Sequence, residues 1–233
     1  MRLCLRALAA LLGYPSAELA AHIPDIRAAL AAGSLLPPDE LGGLEPLLQR
    51  LGSQDLLDAQ VEYTELFDRS RALSLHLFEH VHGDSRDRGP AIIDLGQQYL
   101  DKGFMLEGPE LPDFVPVFIE FASCLSAPEA REMLGEPAHV FAALEERLVE
   151  RGSDYAPVFG AVLALAGAHP DAEALDELRE QAPSDDPAQI DEEWEEKAVT
   201  FTAPHEMGGP TGIVAKIRAA GKAATAARTG TKG

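Results

Sequence analysis

Residues 63–89 read YTELFDRSRALSLHLFEHVHGDSRDRG, an amphipathic helical pattern that runs into a dense patch of charge around glycine. Asp55 upstream suits an N-cap. Leu56, Leu57, Val61, Phe67, Leu73, Leu77 and Phe78 then recur as inward residues at helical spacing. The pattern predicts one long helix from Asp55 to a stop at Gly83.

The same period governs the segments on either side. Leu5, Leu8, Leu11 and Leu12 form one stripe, and Ser16 can cap a second helix carrying Leu19, Ile23 and Ile26. Pro24 is expected to tighten or interrupt that helix. Pro37-Pro38-Asp39 opens a helix through Leu41, Leu44, Leu47, Leu48 and Leu51, which Gly52-Ser53 stops. Beyond the charged turn, Pro90 suits the first turn of a helix carrying Ile92, Ile93, Leu95 and Leu100. Asp113 is read as the N-cap of a helix with Phe114, Val117, Phe118, Phe121 and Leu125. Further helices are expected over 128–134, 137–151, 156–168 and 171–180. No run of alternating apolar residues flanked by hairpin turns occurs, so a sheet is not expected. The fold class is all-α: a single-domain bundle of about nine or ten helices over residues 1–181, followed by a flexible C-terminal tail over 182–233.

Composition agrees with helices. The chain is 46% hydrophobic but only 6% aromatic, and alanine and leucine, which lose little entropy in a helix, are abundant. Its formal charge of −20 repels nucleic acid and anionic membrane surfaces, serves solubility, and can attract a basic partner. Cys4 and Cys124 form no CxxC pair, and nothing points to a disulfide scaffold, which fits a reducing, cytoplasmic compartment. Residues 3–12 are read as a core helix rather than a signal peptide, because Arg6 breaks a short apolar run. No stretch is long and apolar enough to span a bilayer. In the tail, residues 183–196 are acidic apart from Ile190 and Trp194, and 208–233 are rich in Gly, Ala and Thr with scattered Lys and Arg. Disorder is the expectation there; the alternative is a short helix over 213–227 that docks on a partner or on the acidic body.

Within the central stretch, His76-Leu77-Phe78-Glu79-His80 matches the H-x-x-E-H pattern of some zinc peptidases. Two histidines four apart share a helix face, and the glutamate would activate a metal-bound water. A zinc-dependent hydrolase is therefore one reading, but it lacks a third ligand. His82 is too close, and Glu120 recommends itself only because glutamate is abundant. The competing reading of the pentapeptide is a solvated pair on a helix face. There is no G-x-S-x-G, no P-loop lysine motif and no G-x-G-x-x-G.

The longer pattern is more specific than the pentapeptide. Residues 63–69 (YTELFDR), 73–83 (LSLHLFEHVHG) and 85–89 (SRDRG), with 110–121 (ELPDFVPVFIEF) and the opening Leu11-Leu12-Gly13-Tyr14-Pro15, resemble the nitrate reductase molybdenum cofactor assembly chaperones. These belong to the helical redox-enzyme maturation chaperones. The resemblance implies a chaperone, not an enzyme, holding no cofactor or metal of its own. It implies as partner the apo catalytic (alpha) subunit of a respiratory nitrate reductase, bound partly through that subunit's N-terminal segment. The chaperone would hold the subunit competent for molybdenum cofactor insertion and delay its membrane docking. Molybdenum cofactor delivery proteins are further partners on this reading. A sister chaperone for a different molybdoenzyme is the nearest alternative.

A helical bundle can offer an apolar groove to an amphipathic helix. Tyr63, Phe67, Phe114, Phe118 and Phe121 are the aromatic candidates for its lining. Phe67, Phe118 and Phe121 sit on helical stripes and read first as core; Tyr63 and Phe114 are the better groove residues. A polar rim would come from Asp68, Arg69, His76, Glu79, His80, His82, Asp84, Arg86 and Arg88, with Asp113 and Glu120 beyond. Glu120 is expected to pair with Arg86 or Arg88 across the bundle. Protonation of the three histidines near pH 6 is expected to alter the loop's charge.

Overall fold

The computed structural model describes residues 1–69, 71–83 and 85–180. Asp84 and the tail from residue 181, including the helix expected over 213–227, lie outside the described residues. Twelve α-helices and two 3-10 turns follow one another among the described residues, with no strand. They are α1 (Arg2–Leu11), α2 (Ala17–Ala31), α3 (Pro38–Gly43), α4 (Glu45–Ser53), α5 (Leu56–Phe67), α6 (Leu77–His82), α7 (Arg88–Asp101), α8 (Val115–Cys124), α9 (Ala127–Gly135), α10 (Ala138–Glu150), α11 (Ala156–Ala166) and α12 (Ala172–Glu180). The 3-10 turns cover Ala32–Ser34 and Arg71–Leu73.

The all-α expectation holds, and the helices beyond ten come from two segments that periodicity reads as single helices. The first divides at Leu44 into α3 and α4. Pro46 in the first turn of α4 has no N–H to donate back to Gly42, so the hydrogen-bond ladder cannot run through. The second is the long helix expected from Asp55. It opens as predicted, with Leu57 N–H donating to Asp55 Oδ1 at 2.9 Å, but ends at Phe67. The chain then makes a 3-10 turn, an extended step and the short α6. Pro24, by contrast, sits inside an unbroken α2.

α1 explains the order of the core. Its stripe of Leu5, Leu8 and Leu11, with Leu12 beyond, is wholly buried. It packs against α8, α2 and α11. α11 is apolar all round, as a central helix must be, and meets α10, α9 and α3 as well. Phe118 of α8, Phe141 of α10 and Phe159 of α11 meet ring to ring in the middle, with centroids 6.5 and 6.1 Å apart. Phe121 is core too, stacked on Tyr99 at 3.9 Å.

α5 and α7 turn out a different face from the one their aliphatic residues suggest. In α5 the buried residues are Ala59, Tyr63 and Phe67, while Leu57 and Val61 are 66% and 49% exposed. In α7 they are Ala91, Leu95 and Tyr99, while Ile93 and Leu100 face solvent. Each buried tyrosine donates its hydroxyl to a backbone carbonyl: Tyr63 to Leu12 at 2.8 Å, Tyr99 to Pro112 at 2.7 Å. These bonds fix the register of each helix against a loop with an unpaired acceptor.

Candidate functional site: the groove between α5, α6 and the turn before α8

The break after Phe67 builds the site. His76 and Phe114, both extended, face each other in a single antiparallel bridge. Val115 N–H donates to Leu75 O at 2.7 Å, and Leu77 N–H donates to Asp113 O at 3.0 Å. The bridge ties the start of α6 to the start of α8.

Asp113 is the pin of this joint. Its side chain is wholly buried. The expectation that it caps its own helix is overturned: α8 starts at Val115, with Phe114 at the cap position and no side-chain cap. The carboxylate instead accepts the N–H of Phe78 at 3.2 Å, in the first turn of α6. Its Oδ1 lies 3.4 Å from His76 Nδ1. Asp113 thus caps α6 from a distant part of the chain, where a carboxylate also suits the positive end of the helix. The same hydrogen bond is the main reason His76 is held above its ordinary pKa; burial opposes it.

The other two histidines point the opposite way. His80 Nε2 lies 2.8 Å from the carbonyl of Ser74, and burial lowers its pKa to about 4. It is neutral at pH 7 and donates to that carbonyl. Burial also lowers His82, whose Nε2 is enclosed with no hydrogen-bond partner among the described residues. The three histidines therefore do not titrate as one group: the contact with Asp113 raises His76, while burial lowers His80 and His82.

The arrangement does not suit zinc. His76 is the residue before α6, in extended conformation, so it does not share a helix face with His80. Each group is already engaged by another protein group, His76 by Asp113, His80 by Ser74, and Glu79 by Arg88 at 2.8 Å. Among the described residues, no three His, Cys, Asp or Glu side chains are grouped to hold a metal ion.

Tyr63, Phe67, Asp68, Arg69, His76, Glu79, Arg88 and Phe114 line one open groove of about 570 Å³. Tyr63 is only 4% exposed, so it forms the floor rather than a projecting contact, contrary to the expectation that placed it outside the core. It sits in an aromatic cluster with Phe67, at 4.8 Å, and Tyr155, at 6.2 Å. Phe114 is half-buried and lies 5.3 Å from the His76 ring. Asp68 and Arg69 are exposed at the rim.

The remaining nominated residues lie elsewhere. Asp113 and His80 hold the groove residues His76 and Ser74 without lining the groove themselves, and His82 packs edge-on against Phe78. Arg86 is exposed in the turn before α7. Glu120 is contradicted as a partner of Arg86 or Arg88. It is exposed on α8 and lies 3.8 Å from Arg6, because α8 turns this edge toward α1, while Arg88 takes Glu79. Asp84 lies outside the described residues.

Sequence reasoning missed Tyr14, Arg71, Ser74, Leu75 and Glu110, which also line the groove. Tyr14 is half exposed and meets Tyr63 edge-on at 5.5 Å. Tyr14 and Glu110 fall inside the motifs that carry the family resemblance, so the signal was there. No helix among the described residues is long and apolar enough to cross a membrane.

With the groove in view, comparison with known proteins is informative. The chain is 43% identical over 199 residues to the nitrate reductase molybdenum cofactor assembly chaperone NarJ of Escherichia coli (strain K12), covering 85% of this chain and 84% of that one. It is 42% identical over 147 residues to the probable nitrate reductase molybdenum cofactor assembly chaperone NarW of the same organism, covering 63% and 64%. Its fold matches that of a putative redox enzyme maturation protein from Archaeoglobus fulgidus, with a TM-score of 0.51 and 23% identity over 70% of this chain and 91% of the other. The relatives' names are those of assembly chaperones, not catalytic enzymes, in keeping with histidines engaged by protein groups. Residues 16–161, which contain every residue of the groove but Tyr14, match the model of the nitrate reductase delta subunit, and the chain belongs to that family.

Proposed function

We propose that this protein is a cytoplasmic chaperone for a respiratory nitrate reductase, and that the groove is where it holds its client. The client is the apo catalytic (alpha) subunit, engaged through its N-terminal segment. Holding it supports molybdenum cofactor insertion and delays membrane docking, with cofactor delivery proteins joining the same complex. The observation that carries this reading is the groove itself. Its aromatic floor of Tyr63 and Phe67, its flank of Phe114 and its mixed rim of Asp68, Arg69, Glu79 and Arg88 suit an amphipathic helix, with apolar anchors below and charge at the edges. On this reading the helical body over 1–181 is the chaperone domain, and 182–233 is an appended segment.

The test is co-purification. The full-length protein is expected to capture the catalytic subunit from cells unable to make molybdenum cofactor, and to capture little of it once the cofactor is inserted. Equal capture of the mature subunit would remove the proposal.

A further inference from the structure

One wall of the groove is the turn between α5 and α6. α5 ends at Phe67 on the floor, α6 starts at Leu77, and residues 72–75 between them are buried. Arg71, Ser74 and Leu75 of this turn line the groove. Ser74 N–H donates to Arg71 O at 3.2 Å and closes the turn. Two side chains from elsewhere hold its carbonyls. His80 Nε2 lies 2.8 Å from Ser74 O, but His80 belongs to α6, so this bond joins the turn to another groove element. Arg147 donates to Ala72 O at 2.8 Å, and it belongs to α10, which packs on the central α11. The bond from Arg147 thus ties the wall to the middle of the bundle.

The same guanidinium donates a second N–H to Leu178 O at 2.6 Å. Leu178 lies in the last turn of α12, where carbonyls have no partner within the helix. Arg147 is half-buried, and burial pulls its pKa below the ordinary arginine value. Its planar fork sets the direction of both bonds at once; a lysine ammonium, a point donor on a flexible stem, does not. Ala72 and Leu73 bury the turn, but apolar burial is non-directional. The fork therefore fixes where the wall stands relative to the floor. No residue of α12 lines the groove; the helix packs on α10, with Leu175 and Leu178 buried. One side chain so connects the groove wall to a helix outside the groove.

We infer that Arg147 is a positioning residue of the groove: without touching the client, it holds the wall formed by residues 71–75 against the end of α12, so that the set of the wall and the docking of α12 depend on each other. A client that fits the wall as Arg147 holds it also stabilises α12, and a loosened α12 lowers affinity for the client, since such coupling is reciprocal. The effect on the client, though not the coupling of wall to α12, rests on the reading of the groove as the client site.

The test uses the full-length protein, a peptide from the N-terminus of the apo catalytic subunit, calorimetry and amide hydrogen exchange. Arg147→Lys keeps the charge and loses the fork, and should weaken peptide binding at least about fivefold. Leu134→Ala, in the core of α9, lowers stability without touching the wall and should leave binding within about twofold of wild type. In the wild type the peptide should slow exchange of the α12 amides several-fold, although α12 lines no part of the groove; in Arg147→Lys that slowing should vanish. Wild-type affinity in Arg147→Lys, equal weakening by Leu134→Ala, or α12 exchange indifferent to the peptide would overturn the inference. A wild type that does not bind the peptide would instead remove the client reading, and the coupling is then judged in the free protein. There Arg147→Lys should speed exchange of the Ser74 amide and of the α12 amides together, beyond any change in Leu134→Ala; faster exchange at one of the two alone, or at neither, would overturn it.

Discussion

A single buried carboxylate, Asp113, joins two helix starts that are far apart in sequence, and its removal should be felt at once in stability and in titration. Asp113→Ala strips Phe78 N–H of its acceptor and His76 of its partner. Losing a cap and a charge-assisted bond in a buried site is expected to cost about 2–3 kcal/mol in urea unfolding at pH 7. NMR titration should show His76 falling from its raised pKa toward or below the ordinary histidine value; an unchanged His76 would show that Asp113 is not what raises it. The neighbouring histidines give pH dependences of opposite sign. His76, raised when folded, adds stability that is fully present below pH ~6.5 and is lost as pH rises through its folded pKa. His80, lowered to about 4, adds stability present above pH ~6.5 and lost as pH falls toward 4. The wild-type protein should therefore lose about 3 kcal/mol relative to His80→Gln between pH 7 and pH 4. A constant difference between the two over that range would show that His80 is not buried neutral.

At the scale of the helix, aromatic anchors rather than aliphatic stripes decide which face is buried. Tyr63→Phe and Tyr99→Phe each remove a hydroxyl bonded to a buried carbonyl, and each is expected to destabilise by about 1 kcal/mol. Val61→Lys and Ile93→Lys, on exposed faces, should change stability by less than about 0.5 kcal/mol. Leu95→Ala, in the core, should cost about 2–4 kcal/mol. If Val61→Lys proved as costly as Leu95→Ala, the assigned face of α5 would be wrong. These helices show what the sequence makes legible and what it hides. Helix starts are local chemistry, so Ser16 and Asp55 are readable as caps, and both do cap. The strict leucine stripe of α1 is equally plain. The face of α5 is not, because counting aliphatic residues selects Leu57 and Val61. Burial instead follows Tyr63, whose hydroxyl needs a carbonyl 51 residues away. The break after Phe67 is hidden for the same reason: the partners of residues 75–77 lie at 113–115, beyond any local pattern. Eight of the nominated residues do line one groove, because they lie in motifs that are contiguous in the chain. Glu120 is misplaced by sequence reasoning because its partner, Arg6, lies on a helix that no charge pattern links to it.

Across the whole molecule, the chain surrounds the rigid centre formed by α1, α8, α10 and α11 with shorter segments that meet at the groove. The floor is continuous with the core through Phe67 and Tyr155, whose rings lie 5.1 Å apart edge to face, so the groove rests on packed aromatics. The rim is held by ion pairs such as Glu79 with Arg88 and is open to solvent. Such a surface should bind a helical segment with modest affinity and release it, since ordering the client offsets part of the contact energy. The most direct test is a calorimetric titration of the full-length protein with a peptide from the N-terminus of the apo catalytic subunit. Phe114→Glu, at the half-buried flank of the groove, should weaken binding at least about tenfold, while Val149→Glu, on an exposed face of α10, should leave it unchanged. Equal binding by the wild type and Phe114→Glu, with both folded, would contradict the assignment of this groove to the client.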